Sequence, residues 1–305
     1  MQPGLFRSLY GALLDADTSA QRRARLQTAS PDAARQIDAL APLRHREPLS
    51  DQHRQQTDPE RQMRSHELYA LGRISDYLLE LGCPGHPDPK GAITRAPQPA
   101  ELAVHTRFLT DLGLTPFEHA GAFSPFHHEI IEVIQDQTSA HVTLDEVVWP
   151  GLRLGELQMC RAGVIVRAPA ALVDRRVATS SILWFTHRRE PRRAADHGTG
   201  WGSNSQWRSQ FSRFYEDDHG LHCNWDGYFD ITSDPPVLNP KRPGPDPNED
   251  LPIDRRRELL LHRCFVRAPI PSEGDDWLPL VDRMTLRVSS WPLPGNALRT
   301  QQHDR

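Results

Sequence analysis

The chain has 305 residues, 37% of them hydrophobic and 25% charged, with a formal charge of −4 at pH 7. That length holds one large domain or two ordinary ones, and the apolar content suffices for a core, which excludes a wholly disordered chain. The negative balance works against bulk attraction to nucleic acid or an anionic membrane, although a local basic patch is compatible with it.

Leu5, Phe6, Leu9, Tyr10, Leu13 and Leu14 recur at helical spacing and predict an amphipathic helix over 4–15. Arg7 interrupts this apolar start and no small-residue cleavage site follows, so a signal peptide is not expected. Ser30-Pro31 reads as a helix start, with Ala34, Ile37 and Ala41 facing inward. Residues 43–56 are polar and read as a loop. Asp58-Pro59 opens the clearest helix, striped by Met63, Leu68, Leu71, Ile74, Leu78 and Leu81 and closed by Gly82 and Pro84. A Pro/Gly-rich connector leads to Pro99, which starts another helix ending at Gly113.

Near Thr115 the long helical periods give way to short apolar runs bounded by Gly, Pro and Asp. Strands are predicted over 126–134, 152–160, 163–168 and 178–187, followed by a meander. In it, Trp207, Phe211 and Tyr215 share a face, Asp218-His219-Gly220 turns, and Leu221, Cys223 and Trp225 alternate with His222 and Asn224. Asp226-Gly227 is a hairpin signal before Tyr228-Phe229. Ser203 and Gln206 also match a capping box, which makes a helix over 204–215 the alternative. The proline-rich stretch 233–252 reads as a long loop, 254–263 as a helix and 286–289 as a last strand. The expectation is an α+β protein, with a helical N-terminal region over 1–114 and a strand-rich, mainly antiparallel domain over 115–305.

Three constellations could carry chemistry. Phe126-His127-His128-Glu129-Ile130-Ile131-Glu132 has HExxE where zinc peptidases place HExxH. The β-branched surroundings favour a strand, with His127 and Glu129 to one side and His128 to the other. A divalent metal held by His128 and Glu129 would need a third ligand from elsewhere, such as His222, His187 or His197.

The second constellation is arginine-rich and runs from Trp184 to Arg208. Arginine offers a fixed fork of donors, tryptophan a flat apolar face, and amides both donors and acceptors. Arg188, Trp201, Asn204, Gln206 and Arg208 therefore outline a pocket wall for an anionic ligand. Gly200-Trp201-Gly202 permits tight backbone but matches no nucleotide-binding loop. Only Lys90 and Lys241 are lysines, and this arginine bias reads as base composition rather than selection for phosphate. Third, in His222-Cys223-Asn224 the thiol lies opposite its neighbouring imidazole, which reads as a buried structural cysteine.

Cys83, Cys160, Cys223 and Cys264 form no CxxC pair, which fits a reducing, cytoplasmic setting. No apolar run approaches the roughly 20 residues of a spanning helix, so no membrane partner is expected. The first functional expectation is a soluble protein that binds a small anionic ligand or a protein partner through the Arg/Trp/amide wall. The alternative is a metal-assisted hydrolase or lyase using His128, Glu129 and a further histidine. RNA or single-stranded DNA binding ranks third, because overall acidity and the lack of a nucleic-acid motif count against it. Spacing alone does not decide whether the protein is an enzyme.

Overall fold

A computed structural model describes residues 4–48, 59–82, 97–179, 212–227, 229–232, 253–261 and 282–286. Among the described residues the N-terminal part holds four α-helices: α1 (Leu5–Leu14), α2 (Ser19–Ala39), α3 (Pro59–Gly82) and α4 (Pro99–Asp111). The predicted stripe of α1 is buried at Phe6, Leu9, Tyr10 and Leu13. Its first turn faces the buried carboxylate of Glu67 on α3, and the Phe6 N–H donates to Glu67 Oε2 at 2.8 Å. A carboxylate there satisfies donors that a helix start leaves without intrahelical partners.

Ser30-Pro31 does not start a helix. It lies inside α2, which begins at Thr18 with a reciprocal capping box between Thr18 and Gln21. The Ser30 hydroxyl donates to the Leu26 carbonyl, and Leu26, Ala33 and Ile37 form one buried stripe on both sides of the proline. Packing of that stripe outweighs the hydrogen bond lost at Pro31.

The C-terminal part is strand-rich and mostly antiparallel, giving the α+β class expected. Its elements are β1 (Thr115–Phe117), β2 (His128–Gln135), β3 (Thr143–Trp149), β4 (Gly151–Leu154), β5 (Leu157–Cys160), β6 (Ala162–Ala168), α5 (Arg175–Ala178), β7 (Phe214–Asp217), β8 (Gly220–Cys223), β9 (Phe229–Asp230), α6 (Ile253–Leu260) and β10 (Asp282–Leu286). A seven-stranded sheet runs β1-β4-β5-β7-β8-β10-β9, and a three-stranded sheet runs β2-β6-β3. Among the described residues two pairings are parallel, β10 with β9 and β2 with β6.

Three local readings change. The run 152–160 is two strands, because Gly155 takes φ +63° and reverses the chain between β4 and β5. β3 is an added strand, whose Asp145-Glu146 pair makes the sequence look like loop; as an edge strand it holds those acids at an exposed rim. Asp226-Gly227 turns the chain but forms no hairpin, because β10 lies between β8 and β9. Asn224, at φ +48°, donates through Nδ2 to the Asp282 carbonyl at 2.6 Å, which ties the turn to β10 instead. The predicted strand over 178–187 lies outside the described residues from 180 onward, and Ala178 ends α5. The proline-rich stretch 233–252 and the predicted elements over 203–211 also lie outside them.

The main core lies between the helices and the large sheet, joining Phe6, Tyr10, Leu71, Ile74 and Leu109 to Leu152, Leu157, Tyr215 and Cys223. A second core fills the small sheet with Val133, Val164, Val166 and Val173, and Trp149 packs with Leu79 and Leu102 to bridge it to the helices. A charged clamp adds to this. Arg213, nearly fully buried, donates to Glu47 and to Asp226, and Arg61 pairs with the same two carboxylates. The Trp225 indole donates to the Glu47 carbonyl at 2.9 Å, and the Tyr215 hydroxyl to the Leu43 carbonyl at 3.1 Å. Residues 43–47 are thereby strapped across β7 and the turn after β8.

Candidate functional site

By register, Arg153 of β4 pairs with Gln158 of β5, which pairs with Phe214 of β7. Phe214 and Glu216 lie two residues apart on β7, so Arg153, Gln158, Phe214 and Glu216 share one sheet face. The segment between β1 and β2 crosses that face. It is pinned at the buried Phe126, whose carbonyl accepts from Arg161 Nε at 2.9 Å and Gln158 Nε2 at 2.8 Å. Burying such a ring contributes roughly 1.5–3 kcal/mol.

A turn closed on Ser124 then aims two histidines. The N–H groups of His127 and His128 both donate to the Ser124 carbonyl, at 3.1 and 2.8 Å. The Ser124 N–H donates to His128 Nδ1 at 2.9 Å, which leaves His128 Nε2 to carry the proton and donate it to the Glu118 carbonyl at 2.8 Å. Both nitrogens of His128 are thus engaged by backbone. Burial, followed by the nearby charges of His127, His119 and Arg161, brings its pKa down to about 4 despite the Glu118 bond.

His127 points the other way, toward the large sheet. Its Nδ1 lies 2.7 Å from the Ser124 hydroxyl and its Nε2 lies 3.3 Å from Glu216 Oε2. A hydroxyl can donate to Nδ1 when Nε2 holds the proton, or accept from it when Nδ1 does. Ser124 therefore orients the ring in either tautomer. Arg153 Nη1 donates to the same Glu216 oxygen at 2.6 Å, and its guanidinium stacks over Phe117.

His119 closes the group. Its ring stacks on His127, with centroids 3.8 Å apart and planes at 29°. Its backbone is left-handed at φ +49°, a conformation rare outside glycine and asparagine. The preceding carbonyl is the one that His128 holds. His119, His127 and Glu216 each place a ligand-capable atom within 4.8 Å of the others, and among the described residues this is the group of three that does so.

The electrostatics suit ligation. Burial lowers the pKa of His127, assisted by Arg153 and Arg161 and opposed by Glu216. Burial also lowers that of His119, together with the neighbouring His127. For Glu216 burial acts upward, but the bond from His127 and the charges of Arg153 and His119 outweigh it and hold the carboxyl below its usual range. These shifts favour the ionised form of Glu216 and the neutral forms of the two imidazoles.

The residues expected from sequence distribute differently. His128 sits behind the site and Glu129 is buried on the neighbouring position of β2. His222 lies on β8, where Nε2 pairs with Asp217 at 2.9 Å and Nδ1 with the Thr285 hydroxyl at 3.1 Å. The three residues whose ligand-capable atoms lie together take His127 from that motif, with His119 and Glu216. Arg188, Trp201, Asn204, Gln206 and Arg208 lie outside the described residues, as do His187 and His197. Two signals bear on the missed residues. His119 and His127 are eight residues apart on either side of Gly121 and Ser124, and Glu216 lies two residues from Phe214 on a strand. Neither is diagnostic without the sheet register.

Comparison with family models, with curated proteins and with solved structures finds no match for this chain. No helix among the described residues is long and apolar enough to cross a membrane.

Proposed function

We propose that the protein binds a divalent transition metal, of which zinc is the best fit, through His119, His127 and Glu216, and uses it for metal-assisted hydrolysis. The observation that carries this reading is the separation of His127 Nε2 and Glu216 Oε2, 3.3 Å. Ligand bonds of roughly 2.0–2.2 Å in a tetrahedron put neighbouring donor atoms about 3.3–3.5 Å apart. The third donor, on His119, must close from at most 4.8 Å, a movement of roughly 1.4 Å that unstacks its ring from His127. Two imidazoles and one carboxylate leave a fourth position for water, and Ser124 supports Nδ1 of His127 as outer partners of metal-bound histidines do. A divalent ion in such a site acidifies water and polarises a carbonyl or phosphoryl oxygen. The free thiols of Cys160 and Cys223 are consistent with a reducing compartment such as the cytoplasm.

The test is equilibrium dialysis against zinc followed by metal analysis of wild type, Glu216→Gln, His127→Gln and His222→Gln. One ion per chain is expected in wild type and His222→Gln, with loss in the other two while circular dichroism is unchanged. Unaltered zinc content in both Glu216→Gln and His127→Gln, or none in wild type, overturns the reading. Loss in His222→Gln alone would favour the ligand set read from sequence.

A further inference from the structure

We infer that the substrate of this site carries a phosphoryl group, or an equivalent dianionic oxyanion, held between the bound ion and Arg153. The inference rests on the metal reading above and extends it to the class of substrate. Arg153 donates one N–H to Glu216 Oε2, and its remaining donors have no protein acceptor among the described residues. The side chain is 29% exposed and lies beside the site, outside the buried core. It is also held there. The guanidinium lies 5.3 Å from the Phe117 ring centroid, and that ring makes edge contacts with both His119 and His127. An arginine so placed is a preorganised fork, with one tine on the Glu216 carboxylate and the other without an acceptor among the described residues.

Charge selects among the anions that fit a fork. A divalent ion and Arg153 set against Glu216 leave two positive charges in excess, and the charge of Arg161 acts on His127 from behind. A carboxylate would neutralise only part of that excess, whereas a phosphate monoester near neutral pH neutralises nearly all of it. Tetrahedral oxygens also let one oxygen meet the ion while two others meet the guanidinium, the arrangement that anchors phosphoryl groups between metal and arginine.

The experiment uses full-length protein loaded with zinc and freed of excess metal, titrated with inorganic phosphate and separately with acetate by calorimetry. Wild type, Arg153→Met and Arg153→Lys are compared, each checked for zinc content and for unfolding midpoint. Phosphate should bind the zinc-loaded wild type, and roughly tenfold or more weakly to Arg153→Met, with Arg153→Lys between them and zinc content equal in all three. Acetate should bind more weakly than phosphate. If wild type holds zinc but phosphate binds Arg153→Met as tightly, or acetate binds as tightly as phosphate, the substrate inference is wrong and the metal reading stands. If wild type holds no zinc, both fall. Should Arg153→Met prove unstable, Arg153→Gln, which retains a neutral donor, must show the same loss of phosphate binding.

Discussion

Acid should destabilise the metal-free fold through His128, and the size of that effect can be worked from its surroundings. The ring is fully buried, its Nδ1 accepts from the Ser124 N–H and its Nε2–H donates to the Glu118 carbonyl. Protonation would put a second proton where Ser124 already points one. The folded pKa is pushed down to about 4, against an ordinary value of 6.5 in the unfolded chain. Between those two values the unfolded state binds a proton that the folded state refuses, so stability rises with pH across that window. His128 thus contributes stability that is complete above pH 6.5 and gone near pH 4. Because each tenfold difference in proton affinity between the two states corresponds to about 1.4 kcal/mol, the loss comes to about 3.5 kcal/mol at most. The assay is urea unfolding of apo wild type and His128→Gln at half-unit steps from pH 7.5 to 4. Glutamine offers one acceptor and one donor without a titratable ring. Other buried histidines titrate in both proteins, so the difference between the two curves isolates His128. Wild type should lose more stability than His128→Gln on acidification, by roughly 1–3 kcal/mol. Parallel curves would refute the assignment of a neutral, doubly bonded His128.

Two further outcomes follow from other parts of the fold. Arg213→Met leaves Glu47 and Asp226, among the described residues, with Arg61 to balance them in a half-buried clamp and should cost about 3 kcal/mol in urea unfolding, since removing one partner of a buried pair strands the other; a cost below about 1 kcal/mol would mean the clamp is no firmer than a surface ion pair. Cys160 and Cys223 are buried and their thiols are pushed up to about 12 by burial, so alkylation at pH 8 mapped by mass spectrometry should leave both unlabelled until denaturant is added; native labelling of either would contradict the packing described.

What is legible in the sequence is local. The stripe of α1, the Pro59 start and Gly82 end of α3, the start of α4 and the change of texture at Thr115 all follow from periods and caps within one element. The start of α2 is written there as well, in Thr18-x-x-Gln21, but Ser30-Pro31 carries the louder signal. The strand order is not legible, because nothing local tells β10 to insert between β8 and β9. The same reason hides the site. His127 lies in a metal-capable motif, but its partner Glu216 is 89 residues away and meets it only through sheet register. His128 looks the better ligand by spacing, yet the turn at Ser124 directs both its nitrogens to backbone and turns its neighbour toward the sheet.

The most direct measurement is an anomalous difference map at the zinc edge from crystals of the full-length protein grown with zinc. One strong peak is expected at about 2.1 Å from His127 Nε2, a Glu216 carboxylate oxygen and a His119 ring nitrogen, with the His119 ring lifted off His127. A His119 ring still stacked on His127, with no peak between it and Glu216, would contradict the metal site.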